Sequence, residues 1–175
     1  EETKRHDALD FDYTRRALLG RVILVAGGTG GLGAATAALL MVEGAHPILG
    51  FRENKGRAES VQKRLQERYG APVGLVQGDI RDEAVRGQYV DAARRVKGRI
   101  DGLVVFTGDP ARARTEDLGA TAFLEALDRN TVAPLLLARD VAVAIRAQAT
   151  PGAIVLLSSM QGTYPFEGSL AYGTT

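Results

Sequence analysis

The sequence contains no cysteine. Disulfides and thiolate chemistry are therefore excluded. Histidine is nearly as scarce, with only His6 and His46 present. Two histidines argue against a His-based metal site and against a Ser-His-Asp triad, so no metal is expected. No apolar run reaches the roughly 20 residues that cross a bilayer. No signal-peptide pattern is visible, although the first residue is Glu1 rather than Met. Neither sign of charge dominates: 22 Lys and Arg stand against 21 Asp and Glu, a net charge of +1. That balance points away from nucleic acid and from membrane surfaces as partners. The expected location is cytoplasmic. At 175 residues, 45% of them hydrophobic, the chain can bury the core of one domain.

What the sequence does have is a glycine cluster in a telling place. Residues 22–33 read Val-Ile-Leu-Val-Ala-Gly-Gly-Thr-Gly-Gly-Leu-Gly. A short apolar run, mostly β-branched or Leu, predicts a strand buried on both faces, as in a parallel sheet. The Ala-rich segment 34–42 predicts the first helix, ending at Gly44. Gly28, Gly30 and Gly33 fit G-x-G-x-x-G, while Gly27, Gly31 and Gly33 fit G-x-x-x-G-x-G. In either register, glycine lets the backbone approach a pyrophosphate. The helix N-terminus behind it offers free N–H groups and the positive end of a dipole. Strand, phosphate-binding turn and helix open a dinucleotide-binding unit.

Downstream, strand and helix patterns alternate. Strands are expected at 46–51, 73–77, 101–106 and 153–157. Helices are expected at 54–69, stopped by Gly70, and at 83–97, capped by Asp82. A single long helix is expected over 118–148, broken by Pro151-Gly152. Pro47 fits the start of its strand better than the middle. Leu170 begins a further helix, and residues 1–20 read as an N-terminal extension. Five alternations predict an α/β fold, a doubly wound parallel sheet of Rossmann type over residues 21–175. Ligands of such sheets bind beyond the carboxyl ends of the strands. The glycine turn, Arg52, Asp79, the loop from Thr107 and Ser158-Ser159 all fall there.

Ser159 and Tyr172 stand thirteen residues apart, Ser159 directly after the fifth strand. With Gly27-x-x-x-Gly31-x-Gly33, Asp79 after the third strand, Asn130 in the long helix and the string Leu-Leu-Ser-Ser-Met-Gln-Gly, the chain resembles the short-chain dehydrogenase/reductase family. The resemblance covers residues 21–175 and is nearest to the classical type, typified by 3-oxoacyl-carrier-protein reductases. It implies hydride transfer between a nicotinamide cofactor and a small carbonyl or alcohol substrate. By resemblance, Tyr172 is the general acid for carbonyl reduction. A free phenol titrates near pH ~10, too high for the task unaided. The family lowers it with a lysine four residues on and with the positive nicotinamide. Ser159 is then the hydrogen-bond partner of the substrate oxygen. Taken singly, Ser159 also fits a strand-end cap and Tyr172 a packed aromatic. Pro134, lacking an N–H, frees the carbonyl of Asn130 four residues earlier. In the family the matching main chain holds a water in a proton relay. An ordinary proline kink is the alternative.

The cofactor residues implied are Gly27, Thr29, Gly30, Gly31, Leu32, Gly33, Arg52, Asp79, Ile80, Thr107 and Gly108. NAD-preferring enzymes carry an acid at the end of the second strand. Here that position is Phe51, followed by Arg52, with Lys55 and Arg57 nearby. Arg52 suits a 2′-phosphate, which favours NADP over NAD. Glu53 is expected to face solvent or to pair with Arg57. Asp79 is expected at the adenine amine, and Ile80 against the ring.

Three departures from the family pattern stand out. Ala26 replaces its Thr, and Val105-Phe106-Thr107-Gly108 replaces its Asn-Asn-Ala-Gly. The family lysine falls on the position after Thr175, so a continuation carrying it, the later strands and the substrate loop is expected. Two other readings stay open: a nucleotide-binding protein without redox activity, and another α/β class, such as a methyltransferase or an extended-type nucleotide-sugar enzyme. The resemblance also implies a homodimer or homotetramer joined through the long helix, with Leu135, Leu136, Val141, Ala144 and Ile145 as its apolar surface.

Overall fold

Five short apolar segments form one parallel sheet in the computed structural model, which describes residues 16–164 and 166–175. They are β1 (Val22–Ala26), β2 (His46–Phe51), β3 (Gly74–Gln77), β4 (Gly102–Val105) and β5 (Ala153–Leu156). Their spatial order is β3-β2-β1-β4-β5. The chain winds outward from β1 to β3, then returns to the other side of β1 with β4. The carboxyl ends of β1 and β4 therefore flank the switch point where such sheets bind ligands. Val25 pairs with Leu49 on one side and Val104 on the other.

Helices cover both faces of the sheet's centre, while β5 is exposed at its edge. They are α1 (Gly31–Val42), α2 (Lys55–Tyr69), α3 (Glu83–Lys97), α4 (Ala120–Leu127), α5 (Ala133–Ala147) and α6 (Leu170–Thr174). The twofold alternation of β1 divides its side chains between two cores. Ile23 and Val25 pack with Ala37, Leu40, Val61 and Leu65 of α1 and α2. Val22, Leu24 and Ala26 pack with Tyr89 and Ala93 of α3 and Leu137 and Val141 of α5. A partly buried ion pair joins the second set of helices: Arg86 Nε of α3 donates to Asp140 Oδ2 of α5 at 3.0 Å. The same guanidinium donates to the carbonyls of Ile80 and Arg81, each at 2.9 Å.

At the amino end of the sheet, Asp101 is buried and bonded by Arg21, Arg99 and the N–H of Val22. Burial opposes its ionisation, but these three donors outweigh that and hold the carboxyl below its ordinary range. Residues 16–20 are tied to the end of α1, with the N–H groups of Arg16 and Ala17 on the Glu43 carboxylate. The rest of the expected N-terminal extension, residues 1–15, lies outside the described residues. No helix among the described residues is long and apolar enough to cross a membrane.

Several boundaries differ from the sequence reading. Helix α1 begins at Gly31, because the last glycines of the turn already hold helical backbone. Pro47 is the second residue of β2 and fully buried, close to the strand start as its missing N–H requires. The long helix expected over 118–148 runs over 120–147 as α4, a π turn (Asp128–Val132) and α5 in unbroken succession, and a separate 3₁₀ turn (Thr115–Asp117) precedes it. The π turn ends with the Ala133 N–H donating to the Asp128 carbonyl, and Pro134 then opens α5. A proline that cannot donate is accommodated where the ladder is already shifted. Of the residues expected on an outer surface, Val141 and Ala144 are core residues, while Leu135 does face outward, as does Val143.

Gly50 in β2 has a packing role absent from the glycine motifs. A methyl group there would lie 1.5 Å from the Tyr89 hydroxyl oxygen. Gly50→Ala is therefore expected to cost about 1–3 kcal/mol, the range of overpacked cores. Gly56 on exposed α2 has open space around it, so Gly56→Ala is expected to stabilise by about 0.5–1 kcal/mol. Urea melts of the two variants check the opposite signs. A Gly50→Ala protein that unfolds with the parent would show that Tyr89 does not fill that space.

Candidate active site

The site begins with three glycines that cannot carry a side chain. At Gly33, a Cβ would lie 2.3 Å from the Gly27 carbonyl oxygen; at Gly28, 2.7 Å from that of Val25. Gly27 has φ +74° and sits against the backbone of Phe106 and Thr107, with an added Cβ 3.1 Å from the Phe106 carbonyl carbon. The turn, the first helix and the segment after β4 thus meet backbone to backbone. Gly28 donates to Val25 and Gly50, and Gly30 donates to Gly27. The N–H groups of Gly31, Leu32 and Gly33 open α1 without a backbone acceptor among the described residues. They supply the donors that an anion at a helix N-terminus requires. A Cβ on Gly31 meets nothing within 4 Å.

Two clefts lie at the carboxyl end of the sheet and share the wall Phe106-Thr107-Gly108. The first, about 400 Å³, is lined by Gly27, Thr29, Gly30, Phe51, Arg52, Glu53, Arg57, Asp79, Ile80, Arg81 and Tyr89 among others. The second, about 450 Å³, is lined by Leu32, Asn130, Pro134, Leu157, Ser158, Ser159 and Tyr172 among others. Of the predicted cofactor residues, all but Gly31 and Gly33 line one cleft or both. Gly33 is buried and serves helix–strand packing.

Ser159, Tyr172 and Asn130 come together in the second cleft. Ser159 Oγ accepts from the N–H of Gln161 at 3.2 Å and caps the 3₁₀ turn Met160–Gly162. The capping role expected of a residue after a strand is therefore real. It uses one acceptor site and leaves the hydroxyl proton free to donate. Tyr172 lies on α6, half-buried. Asn130 sits in the π turn, and its side chain is fully engaged. Oδ1 accepts from the Asp109 N–H at 2.8 Å. Nδ2 donates to the Asp109 carbonyl at 3.0 Å and to Thr175 Oγ1 at 2.9 Å. Thr131 Oγ1 donates to the Thr175 carbonyl. Asn130 thus ties the loop after β4 to the end of α6.

Charged residues rim the first cleft. Glu53 faces solvent, one of its two expected placements, and pairs there with adjacent Arg52 at 2.8 Å rather than with Arg57. The Asn54 side chain instead accepts from the Arg57 N–H and caps α2. Asp79 is held by Arg81, whose bonds keep its carboxyl below the ordinary range. Asp109 accepts from the Ala111 N–H at 3.0 Å and from Arg129 at 2.8 Å, which lowers it likewise. Burial pushes the Tyr89 phenol up, with the Asp79 charge adding to the effect. Arg81, Tyr89, Arg129 and Asp109 were not singled out from sequence. Arg81 alone had a local signal, a cation two residues after a strand-end acid.

The family model described as short chain dehydrogenase matches residues 21–175. D-threitol dehydrogenase of Mycolicibacterium smegmatis is 32% identical over 165 residues, covering 94% of this chain and 61% of that protein. Levodione reductase of Leifsonia aquatica is 33% identical over 143 residues, covering 81% and 53%. The chain thus spans between half and two thirds of the length of these relatives. Among solved structures, L-sorbose reductase of Gluconobacter frateurii, complexed with NADPH and L-sorbose, superposes with a TM-score of 0.83 at 25% identity. It covers 92% of this chain and 60% of that one. A short-chain dehydrogenase/reductase of Serratia marcescens gives 0.80 at 28%, covering 90% and 63%. With its glycine turn, parallel sheet and paired clefts, the chain belongs to the short-chain dehydrogenase/reductase family.

Proposed function

We propose that the protein is an NADP(H)-dependent oxidoreductase acting on a small carbonyl or alcohol. The observation that carries this reading is the convergence of Ser159, Tyr172 and Asn130 on a cleft that adjoins the glycine turn through Phe106-Thr107-Gly108. Relatives named for an alcohol, D-threitol, and for a carbonyl compound, levodione, support the substrate class. The first cleft takes the adenosine half of the dinucleotide. The free N–H groups of Gly31, Leu32 and Gly33 take the pyrophosphate, and the second cleft takes the nicotinamide and substrate. When bound, the nicotinamide supplies or accepts the hydride. Ser159 donates its free hydroxyl proton to the substrate oxygen and fixes its position. Tyr172 gives a proton to that oxygen during reduction and takes it back during oxidation. Asn130 keeps its side chain on Asp109 and Thr175, so only its main chain remains for a proton relay.

The choice of NADP(H) rests on Phe51, Arg52 and Arg57. Phe51 has no acceptor for a ribose diol. Arg52 and Arg57 line the cleft as exposed cations. Glu53 is paired with Arg52. NADPH in the L-sorbose reductase complex agrees with this choice. In assembly, exposed Leu135 and Val143 on α5 suit a contact with a second copy, as a homodimer or homotetramer.

The alternative, a nucleotide-binding protein without redox activity, predicts binding without turnover. Gly31→Val separates site from fold, because its side chain meets open space in the protein but enters the expected pyrophosphate position. Calorimetry with NADPH is expected to lose the binding signal while the thermal melt stays near the parent's. Equal affinity in parent and variant would place the pyrophosphate elsewhere. In the full-length protein, Tyr172→Phe is expected to lower kcat at least about 10²-fold, the scale of losing a general acid, with cofactor affinity unchanged. Near-normal turnover would remove Tyr172 from the reaction. The parent is expected to favour NADPH over NADH in kcat/KM by about tenfold or more, about 1.4 kcal/mol, and Arg52→Ala to lose most of that. A parent that prefers NADH would return the ribose contact to Glu53.

A further inference from the structure

The first cleft contains an ion pair of which the reading above uses only the acid. Asp79 follows β3, and Arg81 stands two residues on. The Arg81 N–H donates to Asp79 Oδ1 at 3.0 Å, while Nε and Nη2 donate to Oδ2 at 3.1 Å and 2.7 Å. A carboxylate has about four acceptor sites, two on each oxygen. Both sites on Oδ2 are taken, and one on Oδ1. A single acceptor remains, on Oδ1, in a carboxylate whose rotation Arg81 has stopped. Arg52 acts on Asp79 from the end of β2. Arg81 also feels Glu125 and Asp128 from α4 and the π turn.

We propose that Arg81 is a positioning residue for recognition of the base. It locks the Asp79 carboxylate with one open acceptor, which takes a hydrogen of the adenine amine and rejects a base carrying an oxygen there. This rests on the reading of the first cleft as the adenosine end of an NADP(H) site. Its own content is that selectivity for an aminopurine depends on Arg81 as well as on Asp79. A braced carboxylate meets the amine without ordering cost and cannot turn away from an opposing carbonyl oxygen. An unbraced one pays rotor entropy to bind the amine and relaxes away from the carbonyl. Loss of Arg81 therefore weakens one base and relieves the other, a pattern that general destabilisation does not produce.

The test titrates the full-length protein with NADPH and with its deaminated analogue, reduced nicotinamide hypoxanthine dinucleotide phosphate, following nicotinamide fluorescence. The parent is expected to bind NADPH about tenfold more tightly, the scale of one hydrogen bond gained against one repulsion. In Arg81→Ala the preference is expected to shrink to about twofold or less. Arg81→Lys is expected to fall between, since an ammonium keeps the charge without the two parallel donors. If Arg81→Ala does not fold, the Lys variant and Arg81→Gln carry the same comparison. Equal weakening of both ligands, with the parent preference kept, overturns the proposal, as does a parent that binds both ligands equally. A parent that binds neither ligand overturns the site reading beneath it.

Discussion

Three backbone segments meet at the switch point with no side chain between them, and the site depends on that contact. Gly28 and Gly33 leave no room for a Cβ against the neighbouring backbone, and Gly27, at φ +74°, packs tightly on Phe106 and Thr107. Any side chain there pushes α1 off β1 or β1 off the segment after β4. The close approach sets the depth of the turn and aims the opening N–H groups of α1 beyond the sheet. It also brings Phe106, Thr107 and Gly108 up as the wall between the two clefts. One steric condition thus shapes the opening of α1 and the partition of the cavity together.

The parts legible in the sequence are those written in short-range chemistry. Val22 to Ala26 announces a buried strand because every residue is apolar. Gly70 ends its helix with positive φ, and Asp82 caps the next, as their residue types announce. Alternation of such segments implies the parallel sheet and puts Arg52, Asp79, Thr107 and Ser159 at one end of it. Less legible are features set by partners distant in sequence. Asp109 and Asn130 bond across 21 residues, and Arg86 and Asp140 across 54. No local pattern marks either. The 118–148 stretch reads as one helix because Ala and Leu favour helix throughout, while the π turn is a matter of register that propensity does not encode. Gly50 belongs to no motif, since its meaning lies in Tyr89.

Charge is arranged differently at the two ends of the sheet. At the amino end, Asp101 is enclosed by two arginines and a backbone donor and joins Arg21 to the start of β4. At the carboxyl end, Asp79, Asp109 and Glu53 each meet an arginine at the rim of a cleft. These rim pairs are partly exposed, so their net contribution to stability is small. Each holds its carboxylate against a neighbouring guanidinium at the rim.

The side chain of Asn130 has a wider consequence. It bonds Asp109, whose partner Arg129 lines the first cleft, and it bonds Thr175, which ends the turn of helix carrying Tyr172. One amide therefore braces a wall of the first cleft and the helix that carries Tyr172 together. The two clefts share a polar strut as well as the wall Phe106-Thr107-Gly108.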